Sequence, residues 1–148
     1  MYWLEPFYSF RGRVNRARFW LVSIIWSVYS EALLLIWDDF GVADALADKP
    51  YRLGAILAAA VLPLIVSCLA VSVTRLHDRN KSAAWLILFL IAPGALESMA
   101  QLNNIDAAPM VFLMVISGAI ALWAFVELYC LRGTVGANTY GPDPLADR

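Results

Sequence analysis

The residues able to do chemistry are few in this chain, and they cluster. There is one histidine, His77, followed at once by Asp78, and there are two cysteines, Cys68 and Cys130. A carboxylate beside an imidazole can orient the ring and favour its charged form, as a general acid–base pair requires. Yet no serine or cysteine motif supplies a nucleophile, and no second histidine is available to a metal. A hydrogen-bonded staple is the plainer reading, and no catalytic residue, metal or cofactor is expected. Neither cysteine has an evident setting that would lower a thiol pKa, so both are expected to pack rather than react.

The arginines are the second chemical resource. Arg11, Arg13 and Arg16, with Arg18, precede the first long apolar run. Arg75 and Arg79, with Lys81, stand between the second and third. Guanidinium forks take phosphate oxygens two at a time. Arg11, Arg13, Arg16, Arg75 and Arg79 are therefore candidates to hold anionic lipid or another phosphate-bearing ligand. His77, Asp78, Asn138, Tyr140 and Asp143 are expected to organise a polar cap around them. The tail GTVGANTYGPDP from Gly133 to Pro144 is rich in turn residues. It can fold back over the basic loop, with Asp143 facing Arg75 or Arg79.

Two further acids, Glu31 and Glu127, lie inside apolar runs. A charge at mid-bilayer costs at least about 2.5–3.5 kcal/mol, so such residues are functional candidates. Glu127 is near the end of its run, where Arg132 or the basic loop could pair with it. For Glu31 two readings stand level: a protonated carboxyl bonded to nearby serines, or a role in ion or proton movement.

These side chains need elements to position them, and composition says which kind. Of 148 residues 61% are hydrophobic and 16% charged, with a net charge of −1. Soluble domains run nearer half apolar and a quarter charged. A disulfide-framed mini-protein, a disordered chain and an ordinary cytosolic enzyme are excluded, and no basic field recruits nucleic acid. A bilayer core needs about 20 helical residues. Runs over 19–37, 53–73, 83–102 and 109–131 come near that length. The third is interrupted by Pro93 and Gly94 and carries Glu97, so a re-entrant segment is its alternative. Ala45-Leu46-Ala47 resembles a signal cleavage site, but the run before it is long for a signal peptide, and an uncleaved anchor is the better reading.

Charge asymmetry then sets orientation. Basic residues crowd the N-terminal arm and the 74–82 loop, whereas the 38–52 loop holds Asp38, Asp39, Asp44 and Asp48, and 97–108 has no Lys or Arg. Basic residues gather on the cytoplasmic side. Both termini, including the 132–148 tail, are expected inside. Tyr2, Trp3, Phe7, Tyr8, Phe10, Trp37, Phe40, Trp85 and Tyr129 fall at the ends of the runs, as interfacial aromatics do. Leu4, Phe7, Phe10 and Val14 would share one face of a helix over 4–16 lying on the inner leaflet; an irregular arm is the alternative. Small and polar residues mark packing seams: Ser23, Ser27, Ser30 and Glu31; Gly54 and Ala58; Ser67, Ala70 and Thr74; Ser117, Ala121 and Ala124. Pro63 and Pro93 are expected to kink their helices. The expected fold is a single all-α integral-membrane domain over 1–148: a four-transmembrane-helix bundle with a short N-terminal interfacial helix.

Three segments together carry a recognisable pattern. They are Phe10-Arg11-Gly12-Arg13 with Arg16 and Phe19-Trp20; Arg75-Leu76-His77-Asp78 with Ser82 and Trp85; and Gly133…Gly136…Asn138 with Tyr140-Gly141-Pro142-Asp143-Pro144. The chain resembles the bacterial inner-membrane family DUF805, a domain of unknown function, over nearly its whole length. Thr74 stands where another arginine is common, and Ala83 where glycine is usual. The resemblance implies a short four-span protein with cytoplasmic termini, and implies no substrate, cofactor or catalytic residue. The leading expectation is a non-enzymatic bacterial inner-membrane protein whose cytoplasmic cap binds anionic lipid headgroups or a phosphate ligand. The second is a small oligomeric transporter or proton-coupled protein using Glu31 and Glu127. A membrane-embedded enzyme built on His77 and Asp78 ranks third. A homo-oligomer or a membrane-protein partner fits the same seams.

Overall fold

Lipid offers backbone N–H and C=O groups no partners, so an apolar run that enters it must satisfy them within a helix. The computed structural model describes residues 5–39, 50–102 and 106–146, and these fold accordingly. The elements are α1 (Glu5–Tyr8), α2 (Arg16–Asp39), α3 (Pro50–Asp78), α4 (Ala92–Leu102) and α5 (Ala107–Phe125). A π-helical turn, Ile87–Ile91, leads into α4, and another, Val126–Cys130, ends α5. No strand forms among the described residues; Asn138 and Gly141 make one isolated bridge. Arg16–Trp37, Gly54–Asp78 and Ala107–Cys130 are long and apolar enough to cross a membrane, while the apolar stretch Ile87–Met99 is shorter. Tyr2, Trp3, Leu4, Phe40, Asp44 and Asp48, on which part of the sequence reading rests, lie outside the described residues.

Two boundaries differ from expectation. The second long helix does not stop at Val73 but runs on through Arg75-Leu76-His77-Asp78, so this motif is a final helical turn rather than a loop. Asn80 stops it. With φ at +58° it closes the helix in the left-handed conformation that asparagine tolerates. Lys81 N donates to Leu76 O and Asn80 N to His77 O, each at 2.9 Å, which satisfies the last carbonyls. The expected helix over 4–16 is the other correction: its helical part is only Glu5–Tyr8, and residues 9–15 are irregular. Gly12 turns the chain at φ +82°, Val14 N donates to Thr74 O at 3.1 Å, and Arg13 and Val14 are buried. A helix on the membrane surface could not bury those two side chains in the bundle.

The long helices start and continue as local chemistry dictates. Asn15 caps α2, its Oδ1 accepting from Arg18 N at 2.9 Å. Pro63 lies within α3, which is continuous across it. The core gathers at one end, called here the cap end, where Val14, Phe19, Val22, Val71, Val73, Leu76, Leu86, Phe89 and Leu128 pack together. Ser67, Ala70 and Thr74 of the α3 seam are buried there, with Trp26 Nε1 donating to Ser67 Oγ at 2.9 Å. Gly54, Ala58, Ser27, Glu31 and Ala121 are exposed. The α3 seam is closed at its cap end and Ser117 of the α5 seam is buried, while the other seam positions are exposed or half-buried.

Candidate functional site: an arginine–aspartate clasp

Asp78, the last residue of α3, is the centre of the cap. Its Oδ1 accepts from Arg13 Nε at 3.1 Å, with Arg13 Nη2 3.0 Å away in the same ion pair, and its Oδ2 accepts from Arg75 Nη1 at 2.5 Å. All three side chains are essentially inaccessible, at 1%, 0% and 3% exposure for Arg13, Arg75 and Asp78. Charges so buried cost several kcal/mol each unless paired and hydrogen-bonded. One carboxylate answers two guanidiniums, and main-chain carbonyls supply the rest. Arg13 donates to Thr134 O and Gly136 O, each at 2.6 Å, and to Gly141 O at 3.3 Å. Arg75 donates to Leu128 O at 2.8 Å and also to Leu131 O.

The carbonyls come from where helix geometry leaves them free. The end of a helix exposes C=O groups with partial negative charge. The π-helical turn Val126–Cys130 ends α5 at the cap, and its carbonyls are taken one by one. Arg75 takes Leu128 and then Leu131 just beyond, Trp20 Nε1 takes Tyr129 at 3.1 Å, and Arg16 Nη1 takes Cys130 at 2.6 Å. Arg79 donates to Arg132 O and, at 3.0 Å, to Glu127 Oε1, which also meets Lys81 Nζ at 3.0 Å. Glu127 is thus paired with the basic residues after α3, as one of its expected alternatives had it, and not with the Arg132 side chain.

The tail folds back over this end, as expected, and its contacts are specific. Thr134 reaches Asp78 O with both its N (2.8 Å) and its Oγ1 (3.0 Å). Asn138 Nδ2 donates to His77 O and to Thr134 Oγ1, each at 2.8 Å. Tyr140 stacks flat on His77, with ring centroids 3.9 Å apart and planes 5° apart. The His77 ring lies with Nδ1 3.2 Å from Gly12 O, so a proton on Nδ1 donates there. His77 and Asp78 therefore serve different partners and form no acid–base pair with each other. Gly133 is held by space: a Cβ there would lie 2.0 Å from Asp78 Oδ2.

Asp143 does not face Arg75 or Arg79. Its oxygens accept from Leu145 N and Gly136 N, each at 2.9 Å, and these two N–H groups hold its carboxyl below the usual value. Arg11, Arg16 and Arg18 are exposed. Glu31 is exposed on α2, remote from Glu127, and the serines near it donate to main-chain carbonyls instead: Ser27 to Ser23 O and Ser30 to Ser27 O, both 2.9 Å. Glu97, which the sequence reading did not select, accepts from buried Ser117 at 3.1 Å. Cys68 and Cys130 are free and exposed.

Sequence reasoning did not find the carbonyl partners, Gly133 against Asp78, or the Thr134 contacts. One signal was available. The basic segments hold many more cations than nearby acids, so helix-end and tail carbonyls had to absorb the surplus donors.

Three helical stretches of membrane-crossing length and a buried clasp of charges define a small α-helical membrane protein. Residues 7–142 match the family described as a protein of unknown function, DUF805, and the chain belongs to that family. It is 28% identical over 141 residues to the inner membrane protein YhaI of Escherichia coli K12, covering 95% of this chain and 90% of that protein. Its identity to the uncharacterized protein YiiR of the same organism is 30% over 140 residues, with 92% and 86% covered. With the inner membrane protein YhaH it is 26% over 141 residues, with 95% and 91% covered. No solved structure matches the chain.

Proposed function

We propose that this is a multi-pass bacterial inner-membrane protein of four spans, with both termini cytoplasmic, whose cap engages phosphate groups of lipid or of a phosphate-bearing ligand without catalysing a reaction. The excess of Lys and Arg at the cap end supports that orientation, and the relatives named as inner membrane proteins support the location. One observation carries the binding reading: the arginines divide into two sets. Arg13 and Arg75 are buried and fully engaged within the protein, and Arg79 is tied to Glu127. Arg11, Arg16 and Arg18 are exposed beside exposed Tyr8, Phe10 and Trp20. The first set frames the cap together with His77, Asp78, Asn138, Tyr140 and Asp143. The second offers guanidiniums at the depth where aromatic side chains meet headgroups.

The test compares purified wild-type protein with an Arg11→Ala/Arg18→Ala variant by native mass spectrometry of retained phospholipid. The frame is untouched, so the variant should fold and lose retained phospholipid several-fold. Equal retention would overturn the reading.

A further inference from the structure

A cavity beside the clasp carries charges of both signs. It measures about 310 Å³ and lies between the start of α2 and the C-terminal tail, walled by Asn15, Arg16, Arg132, Thr134, Asp143 and Leu145. Arg16 spends one hydrogen on Cys130 O. Its other N–H groups, and the exposed Arg132 guanidinium, take no protein acceptor among the described residues. Asp78 also borders the cavity, but Arg13 and Arg75 already neutralise it. Asp143 makes no direct ion pair among the described residues, and Arg13 and Arg132 attract it only from a distance. Leu145 N and Gly136 N anchor one of its oxygens each, which fixes the carboxylate while leaving it lone pairs to spare.

The combination selects among ligands. A phosphate monoester, doubly charged, would meet repulsion from Asp143. A neutral or purely cationic group would leave Arg16 and Arg132 unanswered. A phosphodiester bearing an ammonium group answers both, with phosphate oxygens on the guanidiniums and the ammonium on the carboxylate. The surroundings favour a lipid as its bearer. Trp20, one turn along α2 from Arg16, packs edge-on against Phe125 and Tyr129, whose rings stack on each other. Such aromatics gather at headgroup depth.

We propose that this cavity is a binding site for the phosphoethanolamine headgroup, with Arg16 and Arg132 on the phosphate and Asp143 on the primary ammonium. The proposal rests on the phosphate-binding reading above and adds the zwitterion. The full chain, in detergent, is offered phosphatidylethanolamine, phosphatidylcholine and phosphatidylglycerol of identical acyl chains, and native mass spectrometry counts what is retained. Phosphatidylethanolamine should be retained about tenfold or more over the others, the scale of one hydrogen bond to a charged group. Phosphatidylcholine, whose ammonium has no N–H, is the informative competitor. Asp143→Asn should erase that preference, and Arg132→Ala, whose side chain holds no part of the fold, should weaken retention of phosphatidylethanolamine several-fold. Glycerophosphoethanolamine in solution separates the sources: competition by it at matched concentration assigns a soluble ligand, and its failure to compete assigns the lipid. Equal retention of all three lipids by the wild type, or an unchanged Arg132→Ala, would overturn the zwitterion proposal while leaving the exposed arginines as a general phosphate surface. No retained phospholipid at all would overturn both.

Discussion

Asp78 and Gly133 are interdependent at the level of single atoms. A methyl at position 133 would sit 2.0 Å from a carboxylate oxygen that two buried guanidiniums hold in place, so neither partner can give way. Gly133→Ala should therefore act like removal of a partner from a buried ion pair, at about 3–5 kcal/mol. Gly136 offers the contrast. Its φ of +78° strains any other residue, yet a Cβ there meets nothing within 4 Å. Gly136→Ala should cost only about 1–2 kcal/mol. Thermal unfolding in detergent should rank the two variants in that order, and a reversed order would contradict the clasp. Asp143 sets a pH dependence at the same scale. Its carboxyl is depressed in the folded chain by Leu145 N and Gly136 N. The stability it lends the tail is therefore present above the ordinary carboxylate pKa, about 3.9, and is lost as pH falls through the lower folded value. Protection of the Gly136 and Leu145 amides, taken relative to their intrinsic exchange rates, should fall over that acidic window, and Asp143→Asn should remove this pH dependence.

At the scale of elements, the helices were legible in the sequence because hydropathy and length are enough to announce them. Their ends were not. Hydropathy falls at Thr74, yet α3 continues to Asp78 because Arg75, Leu76 and His77 are buried by the tail and the N-terminal arm, neither of which an apolar window can register. The arm failed as a helix for the matching reason: apolar spacing described a surface helix, while Arg13 is drawn inward by an acid 65 residues away. The end of α5 is held the same way, and it yields a prediction. Arg75 serves Leu128 O, Asp78 and Leu131 O through a planar fork that a lysine ammonium cannot reproduce. Arg75→Lys keeps the charge but leaves at least one buried carbonyl without a donor, about 1–3 kcal/mol. The expected readout is a lowered melting temperature with faster exchange in the π-helical turn and helical content otherwise preserved.

For the whole molecule, the three motif segments converge on one guanidinium, and this makes their behaviour cooperative. Arg13 comes from the arm, pairs with the end of α3, and donates to three carbonyls of the tail. The sequence showed that the three segments belong at one end of the bundle, but not that a single side chain joins them. Pairings over 65 to 128 residues leave no local periodicity to read. Burial follows this joint. The core collects around it, while Val28, Leu34, Leu35, Ile56, Leu62 and Val111 toward the other ends of the helices are exposed. Arg13→Ala should thus free the Val14 and Thr134 amides together, since their acceptors, Thr74 O and Asp78 O, lie on the face of α3 that both segments cover. Arg79→Ala, whose side-chain partners among the described residues are Glu127 and Arg132 O, should leave those two amides protected. Hydrogen exchange read by mass spectrometry distinguishes the cases. Arm and tail opening independently in Arg13→Ala would mean that the clasp is a set of separate contacts rather than one unit.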